Sequence, residues 1–171
     1  YKVRSFPRYR LPMLDPGERQ RALQLPTGFH PKSRQLGRKW RADLDARARA
    51  QIADPAKREA LVARAMMDTA LHHFRNQPFY YTLRPKRLLG DTVDEFLFVT
   101  REGFCEFYAA AFTVLMRAGG VPARVVTGYQ GGEFNEIGEY LIVRQRDAHA
   151  WAEIWTPDEG WIRVDPTAAV A

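Results

Sequence analysis

The periodicity of the chain changes along its length, and this change constrains the fold more than any other sequence feature. Apolar residues recur at helical spacing from about Gly37 to His73, with a break and a new helix start at Asp54-Pro55. A further helix is predicted from Cys105 to Ala118, ended by Gly119-Gly120. The last third has four strand-like runs instead, namely ARVVTGY, EYLIVRQ, HAWAEIW and GWIRVD. Helices followed by consecutive strands predict an α+β fold with an antiparallel sheet.

The 171 residues suit one domain, which we divide into an arm and a core. Residues 1–36 hold several Pro and Gly and are predicted to form an extended arm and loop, with an edge strand over 1–12 and a short helix around Pro16–Leu25. Residues 37–171 are predicted to form the core. Within it, residues 79–85 are predicted to be extended, and residues 88–103 a loop with an apolar patch.

Composition excludes several classes of protein. A single cysteine excludes an internal disulfide and a multi-cysteine metal site, and no apolar run is long enough for a membrane span. The net charge of +6 comes largely from basic residues in the first third. No zinc spacing, RNA-binding signature or recognition-helix pattern accompanies them, so we interpret them as a solvated face and predict no nucleic-acid partner. The chain starts without a methionine or a signal core, so we expect a soluble fragment of a longer protein.

The single cysteine stands at the start of a predicted helix. Gly103 allows the chain to turn into that helix, and Cys105 is its first residue. A helix N-terminus and a neighbouring imidazolium both favour a thiolate, the form of cysteine that attacks carbonyl carbons. The first N–H groups of a helix lack helical partners and can stabilise an oxyanion.

A histidine and an aspartate are predicted to meet on the last two strands. Alternation places His149, Trp151 and Trp155 on one face of their strand, and Asp165 on the same face of the next. A tight turn at residues 156–158 pairs 155 with 159 and therefore 149 with 165. In that register Asp165 would orient the His149 imidazole beside Cys105, as in a nucleophile, base and orienter relay. Taken singly, each residue also fits a structural role: packing for Cys105, a satisfied strand residue for His149 and a turn cap for Asp165.

Three sequence blocks resemble the transglutaminase-like superfamily. They are GFCEFYAAAFTVLMRAGGVPARVVTGY, DAHAWAEIW and GWIRVDPT, in the family's order of Cys, His and Asp. The resemblance implies a papain-like core in which the nucleophile helix packs on an antiparallel sheet. It also implies a catalytic triad of Cys105, His149 and Asp165, and acyl transfer through a thioester. The segments FYYTLRP, VDEFLF and YQGGEFNEIGEYLIVRQRDAHAW resemble the periplasmic domain of bacterial multi-pass inner-membrane proteins of this family.

The resemblance leaves three functions open. The first is a protein-glutamine γ-glutamyltransferase whose substrates are cell-envelope proteins or peptides, with a primary amine as acceptor. The second uses water with the same triad, giving a cysteine peptidase or amidase. The third is a non-catalytic domain that binds envelope peptides or glycans.

Two departures from animal transglutaminases concern the nucleophile and metal binding. Glu106 stands where those enzymes have a tryptophan, and Tyr80 or Tyr81 is the candidate for a second oxyanion donor. The acidic residues lack a calcium-loop spacing, so we predict neither a metal nor a cofactor.

Overall fold

A computed structural model describes residues 14–170 of the chain, so the predicted edge strand over residues 1–12 lies outside the described part. Five α-helices are present in that part: α1 (Pro16–Leu23), α2 (Pro31–Gln51), α3 (Pro55–Asn76), α4 (Thr92–Glu95) and α5 (Cys105–Ala118). Its strands are β1 (Tyr80–Tyr81), β2 (Glu102–Gly103), β3 (Ala123–Tyr129), β4 (Glu133–Asn135), β5 (Tyr140–Ile142), β6 (Ala148–Thr156) and β7 (Gly160–Val164). The α+β fold is therefore confirmed.

The main sheet has three antiparallel strands in the order β3-β6-β7. Helix α5 packs on the central strand β6, whose inward residues Ala150, Ala152 and Ile154 are buried. The small side chains at 150 and 152 let the helix approach the sheet closely. Helix α5, which begins at Cys105, thus lies on an antiparallel sheet, as the sequence predicts. Two smaller pairings complete the strands, the antiparallel hairpin β4-β5 and the parallel pair β1-β2.

Helices α2 and α3 cover the other side of α5. The closest approach is at Gly37, where a Cβ atom would lie 2.6 Å from the carbonyl oxygen of Leu115. A side chain there would push α2 away from α5. Arg41 joins the three helices, since it pairs with Glu59 on α3 and donates to the carbonyl oxygen of Gly119 after α5.

The secondary structure departs from the sequence prediction in four places. Helix α2 begins at Pro31 rather than Gly37, because Pro is well suited to the first helical position. Residues 92–100, predicted as loop, form α4 and a π-helical turn over Phe96–Thr100, since Asp91 caps the helix by accepting from the Asp94 N–H. The predicted run EYLIVRQ is shorter, limited to β5, and it pairs with β4, which the sequence pattern does not predict. The short helix near Pro16 and the helix of residues 105–118 are confirmed.

Candidate active site

Cys105 is the first residue of α5 and only 8% of its surface is exposed. The preceding residue, Phe104, occupies the N-cap position and no side chain caps the helix. The Phe107 and Tyr108 N–H groups donate to the Phe104 carbonyl oxygen, so the N–H groups of Cys105 and Glu106 are the ones left for a negative charge near the cysteine. A helix start of this kind can stabilise an oxyanion that forms beside it.

Gly103 has a different role from the one its sequence position indicates. Its φ angle is outside the left-handed region, so the turn into α5 does not require glycine on conformational grounds. A Cβ atom at Gly103 would instead lie 2.7 Å from the Cβ and Cγ atoms of Phe107. Glycine is needed because the Phe107 ring packs directly on this backbone.

The structure brings His149 and Asp165 together. His149 Nε2 lies 2.6 Å from Asp165 Oδ2, and both side chains are mostly buried. The register between β6 and β7 differs by two residues from the predicted one, because Trp155 pairs with Trp161 and Thr156 with Gly160. Because side chains alternate with a period of two, a register shift of two residues keeps His149 and Asp165 on the same face of the sheet. They contact each other diagonally instead of lying directly opposite.

Both oxygens of Asp165 are engaged. Oδ2 faces His149, while Oδ1 accepts from the backbone N–H and the hydroxyl of Thr167, the latter at 2.6 Å. Burial by itself raises the pKa of Asp165, but the Thr167 and His149 hydrogen bonds outweigh it and hold the pKa below its ordinary value of 3.8. Asp165 is therefore a carboxylate at neutral pH. It both caps the turn Pro166–Ala169 and orients the imidazole.

A stack of side chains supports the His149 ring from behind. The rings of His149 and Trp151 are nearly parallel, with centroids 6.4 Å apart. The Arg163 guanidinium lies over the Trp151 ring, 4.2 Å from its centroid. A Cβ atom at Gly128 would lie 2.8 Å from the Trp151 ring, so glycine on β3 makes room for this stack. The supporting roles of Arg163 and Gly128 were not predicted, because strand alternation places residues on a face without showing which rings stack.

Cys105 lies beside the strand that carries His149. Its packing partners are Ala109 on α5 and Ala150, the residue after His149 on β6. Among the described hydrogen bonds, none joins the Cys105 thiol to His149 directly. Because Asp165 engages Nε2, the ring nitrogen left for a proton transfer is Nδ1. Burial, followed by the charges of Cys105 and Asp165, raises the pKa of Tyr81, which lies near the cysteine.

Glu106 lines a cavity of about 440 Å³ on the side of α5 that carries Phe107 and Ala110, and Cys105 is not among the lining residues. Its walls are mainly apolar, and basic Lys86 and Arg87 stand with Glu106 among the lining residues. Glu106, which stands where the animal enzymes have a tryptophan, therefore faces this cavity. An acidic side chain in the first turn of α5 also suits the helix dipole.

Comparison with known proteins identifies the family. The model of the transglutaminase-like superfamily matches residues 46–166, which include Cys105, His149 and Asp165. The chain belongs to the transglutaminase-like superfamily.

Two relatives extend the match to almost the whole chain. A protein-glutamine γ-glutamyltransferase of Pseudomonas aeruginosa is 48% identical over 172 aligned positions, which cover 100% of this chain and 23% of that protein. The crystal structure of the periplasmic domain of TgpA from Pseudomonas aeruginosa bound to ethylmercury has a TM-score of 0.80 and 46% identity. That alignment covers 95% of this chain and 52% of the crystallised one. An uncharacterised protein of Bacillus subtilis, YebA, is 42% identical over 81 residues.

The matches confirm the family, the fold and the periplasmic location that the resemblance implies. The chain spans about a quarter of the curated relative and about half of the crystallised domain. Within residues 14–170, no helix is both long and apolar enough to cross a membrane, and no three acidic, histidine or cysteine side chains are grouped to hold a metal ion. The absence of a metal and of a cofactor stays a prediction.

Proposed function

We propose that this chain is the catalytic domain of a protein-glutamine γ-glutamyltransferase and that Cys105, His149 and Asp165 are its triad. The observation that carries the reaction type is the 48% identity to a protein of that name over the full length of this chain. The 2.6 Å contact between His149 and Asp165, beside a cysteine at an uncapped helix start, supports the assignment of roles. The partners are proteins or peptides of the cell envelope, and the parent protein is embedded in the inner membrane.

In the acylation half-reaction, Cys105 attacks the carboxamide carbon of a glutamine side chain. Asp165 accepts the His149 Nε2–H, so Nδ1 carries the lone pair that takes the thiol proton. The C–S bond forms and the carbonyl π electrons move to oxygen, where the first N–H groups of α5 stabilise the charge. When the electrons return, the C–N bond breaks, His149 gives its proton to the nitrogen, and ammonia leaves a thioester.

In the second half-reaction, a primary amine attacks the thioester carbon. His149 removes a proton from the amine, the new C–N bond forms, and the C–S bond breaks to return Cys105. Asp165 stays ionised throughout and stabilises the imidazolium in both steps.

The test is incorporation of a fluorescent primary amine into a glutamine-containing protein. We expect Cys105→Ala to lower the rate of incorporation by at least about 1,000-fold, since the thioester can no longer form. His149→Ala should lower it by a similar factor. His72→Ala is the matched control, because His72 is exposed on α3 and should leave the rate unchanged.

The products distinguish transfer from hydrolysis. Incorporation that depends on Cys105 supports the transferase. Glutamine deamidation or peptide cleavage that depends on Cys105, without incorporation, would show that the triad uses water and would make the domain a cysteine amidase or peptidase. Incorporation that persists in Cys105→Ala would contradict the triad, and no reaction by the unmodified protein would favour a binding domain.

A further inference from the structure

The outer strand β3 leaves one edge of the main sheet unpaired. In the described part of the chain, β3 pairs with β6 and with no other strand. Two hydrogen bonds at the ends of this ladder fix which backbone groups face β6. The Trp155 N–H donates to the Pro122 carbonyl oxygen at 2.9 Å, and the Gln130 N–H donates to that of Asp147 at 2.8 Å. Because bonded and non-bonded pairs alternate along an antiparallel ladder, the even-numbered residues of β3 face β6 and the odd-numbered ones face outwards.

The first outward group of β3 is in use and the next ones are open. The Ala123 carbonyl oxygen accepts from Arg117 Nε at 2.9 Å, as expected of a group that does not face β6. The outward N–H and carbonyl groups of Val125, Thr127 and Tyr129 take part in none of the described hydrogen bonds. None of the three is lysine or proline, the residues with which proteins commonly block an exposed strand edge. Three successive outward positions are therefore open to another extended chain.

The open edge borders the candidate site. Thr127 pairs with Ala150, the residue of β6 that packs on Cys105. Residues directly opposite each other share a face of the sheet, so Val125, Thr127 and Tyr129 project on the face that α5 covers at β6. Their side chains remain exposed, Val125 by 43% and Tyr129 by 55%. The edge and its three side chains therefore flank the cysteine on the side away from β7.

The spacing of the outward groups matches one class of ligand. Outward residues follow each other at about 6.8 Å along a strand, and each offers one N–H donor and one carbonyl acceptor. An extended polypeptide offers the complementary acceptor and donor at the same interval, which is the basis of recognition by strand addition. A chain bound in this way would lie about 4.8 Å from β3, and every second side chain would project on the same face as Cys105.

We propose that β3 binds the acyl-donor protein in an extended conformation, and that residues next to the reactive glutamine add a fourth strand to the sheet through Val125, Thr127 and Tyr129. This inference rests on the proposed function. Because main-chain groups make the contacts, the edge selects for an accessible extended segment more than for a particular sequence. A glutamine within a helix or an already paired strand is excluded, since its backbone groups are bonded elsewhere.

Hydrogen exchange of single amides tests the contact without turnover. The sample is the Cys105→Ala protein, and the probe is a blocked nine-residue peptide of valine and threonine around a central glutamine. In the free protein, we expect the outward N–H groups of Thr127 and Tyr129 to exchange at least about 100-fold faster than those of Val126 and Gly128, which face β6. Excess peptide should slow exchange at Thr127 and Tyr129 by at least about 10-fold. Val126 and Gly128 are the matched controls and should not change.

Kinetics with the unmodified protein tests the same geometry from the peptide. Two versions of the peptide each carry one N-methyl amide, at the second or at the third residue before the glutamine. Adjacent amides of a strand point to opposite sides, so only one of the two can face β3. We expect kcat/KM for amine incorporation to fall at least about fivefold with one version, the effect of losing one peptide hydrogen bond. The other version should stay within about twofold of the unmethylated peptide.

Three results would overturn the proposal. The first is an equal kcat/KM for the two methylated peptides, and the second is unchanged exchange at Thr127 and Tyr129 with excess peptide. The third is slow exchange at these two positions in the free protein, since the edge would then already be covered; loss of that protection on dilution would identify a second copy of the chain as the cover. Failure of the proposed function is distinguishable, because it would appear as incorporation that is absent or does not depend on Cys105, whereas hydrogen exchange measures the peptide contact by itself.

Discussion

Asp165 shows how one side chain can satisfy a structural and a chemical requirement together. The sequence leaves open whether an aspartate before proline caps a turn or orients a histidine. In the structure, one oxygen accepts from Thr167 and the other faces His149. Asp165 therefore does both, capping the turn and contacting His149. A substitution of Asp165 would disturb the turn and the candidate site together.

The depressed pKa of Asp165 predicts a pH dependence of stability. A carboxylate whose pKa is lower in the folded state contributes stability that is present above its unfolded value, near 3.8, and is lost as pH falls through the folded value. We expect Asp165→Asn to be less stable than the unmodified protein at pH 6, with the gap closing below about pH 4. Urea unfolding at several pH values measures this gap.

The control for this experiment is Asp43→Asn, at an exposed position on α2. Its effect on the free energy of unfolding should be small at every pH. A gap for Asp165→Asn that stayed constant from pH 6 to pH 2.5 would show that the carboxylate charge does not contribute through its hydrogen bonds.

The residues that carry the proposed chemistry were predictable to different degrees. Cys105, His149 and Asp165 follow from residue types and strand alternation, and the structure places His149 against Asp165. The second oxyanion donor, Tyr80 or Tyr81, stays a prediction. Both tyrosines lie on β1, whose parallel pairing joins segments about 22 positions apart, and no local sequence pattern predicts such a pairing.

At the scale of the elements, the β6–β7 hairpin shows why a prediction with the wrong strand register still placed His149 beside Asp165. The loop is Pro157–Glu159, and Gly160 closes it with a φ of 78°, a conformation that favours glycine. The sequence-based turn was centred one residue earlier, which moved the pairing by two positions. Side chains alternate with a period of two, so the predicted face survived the error.

Helix α2 takes its N-terminal cap from another element. Its own N-cap residue, His30, has a left-handed backbone and no side-chain cap bond. Asp94 on α4 accepts instead from the N–H groups of Lys32 and Ser33, at 2.8 and 2.9 Å, and from the Ser33 hydroxyl. Asp91 accepts from the His30 N–H. Sequence reasoning assigned this acidic segment to a loop, because residues 61 or 62 positions apart give no capping pattern.

This arrangement predicts that Asp94 contributes more to the free energy of unfolding than an aspartate that caps only its own helix. Asp94→Ala removes every acceptor for three buried or partly buried donors, so we expect a loss of about 2 kcal/mol in the free energy of unfolding. Asp54→Ala is the matched control, since Asp54 caps α3 locally through Ala56 and Lys57 in an exposed position. Chemical unfolding of both variants measures the difference. Equal losses would show that capping across elements adds nothing.

At the scale of the whole molecule, the division into an arm of residues 1–36 and a core of 37–171 stays a prediction. The proposed boundary falls inside α2, which begins at Pro31. Helix α1 also contacts α5 and β3, and Arg124 on β3 pairs with Glu18 on α1. Because residues before Gly37 contact the core, the stability of shortened chains can test where the core begins.

Two shortened chains locate the start of the core. A chain that begins at His30 keeps the whole of α2, whereas one that begins at Gly37 lacks the Lys32 and Ser33 groups that donate to Asp94. We expect the shorter chain to melt at least about 5 °C lower, because α2 loses its first turn and the cap that Asp94 provides. Thermal unfolding followed by circular dichroism measures both. Equal melting temperatures would place the start of the core at Gly37.

The basic residues of α2 lie mostly on its exposed surface rather than at the candidate site. Lys32, Arg38, Lys39, Arg47 and Arg49 are exposed, while Arg41 is partly buried and paired with Asp45 and Glu59. This distribution agrees with a solvated face. The sequence predicted it from the lack of any binding pattern, without the position of a single side chain.

The uncapped start of α5 sets this helix apart from the rest of the described chain. Aspartate side chains cap α1, α3 and α4, and α2 receives its cap from α4, but the side chain of Phe104 offers α5 no acceptor. If the proposed function is right, the carbonyl oxygen of the substrate would be the acceptor that this helix end lacks. Binding of substrate would then complete the hydrogen bonding of α5, and the same N–H groups would serve both the fold and catalysis.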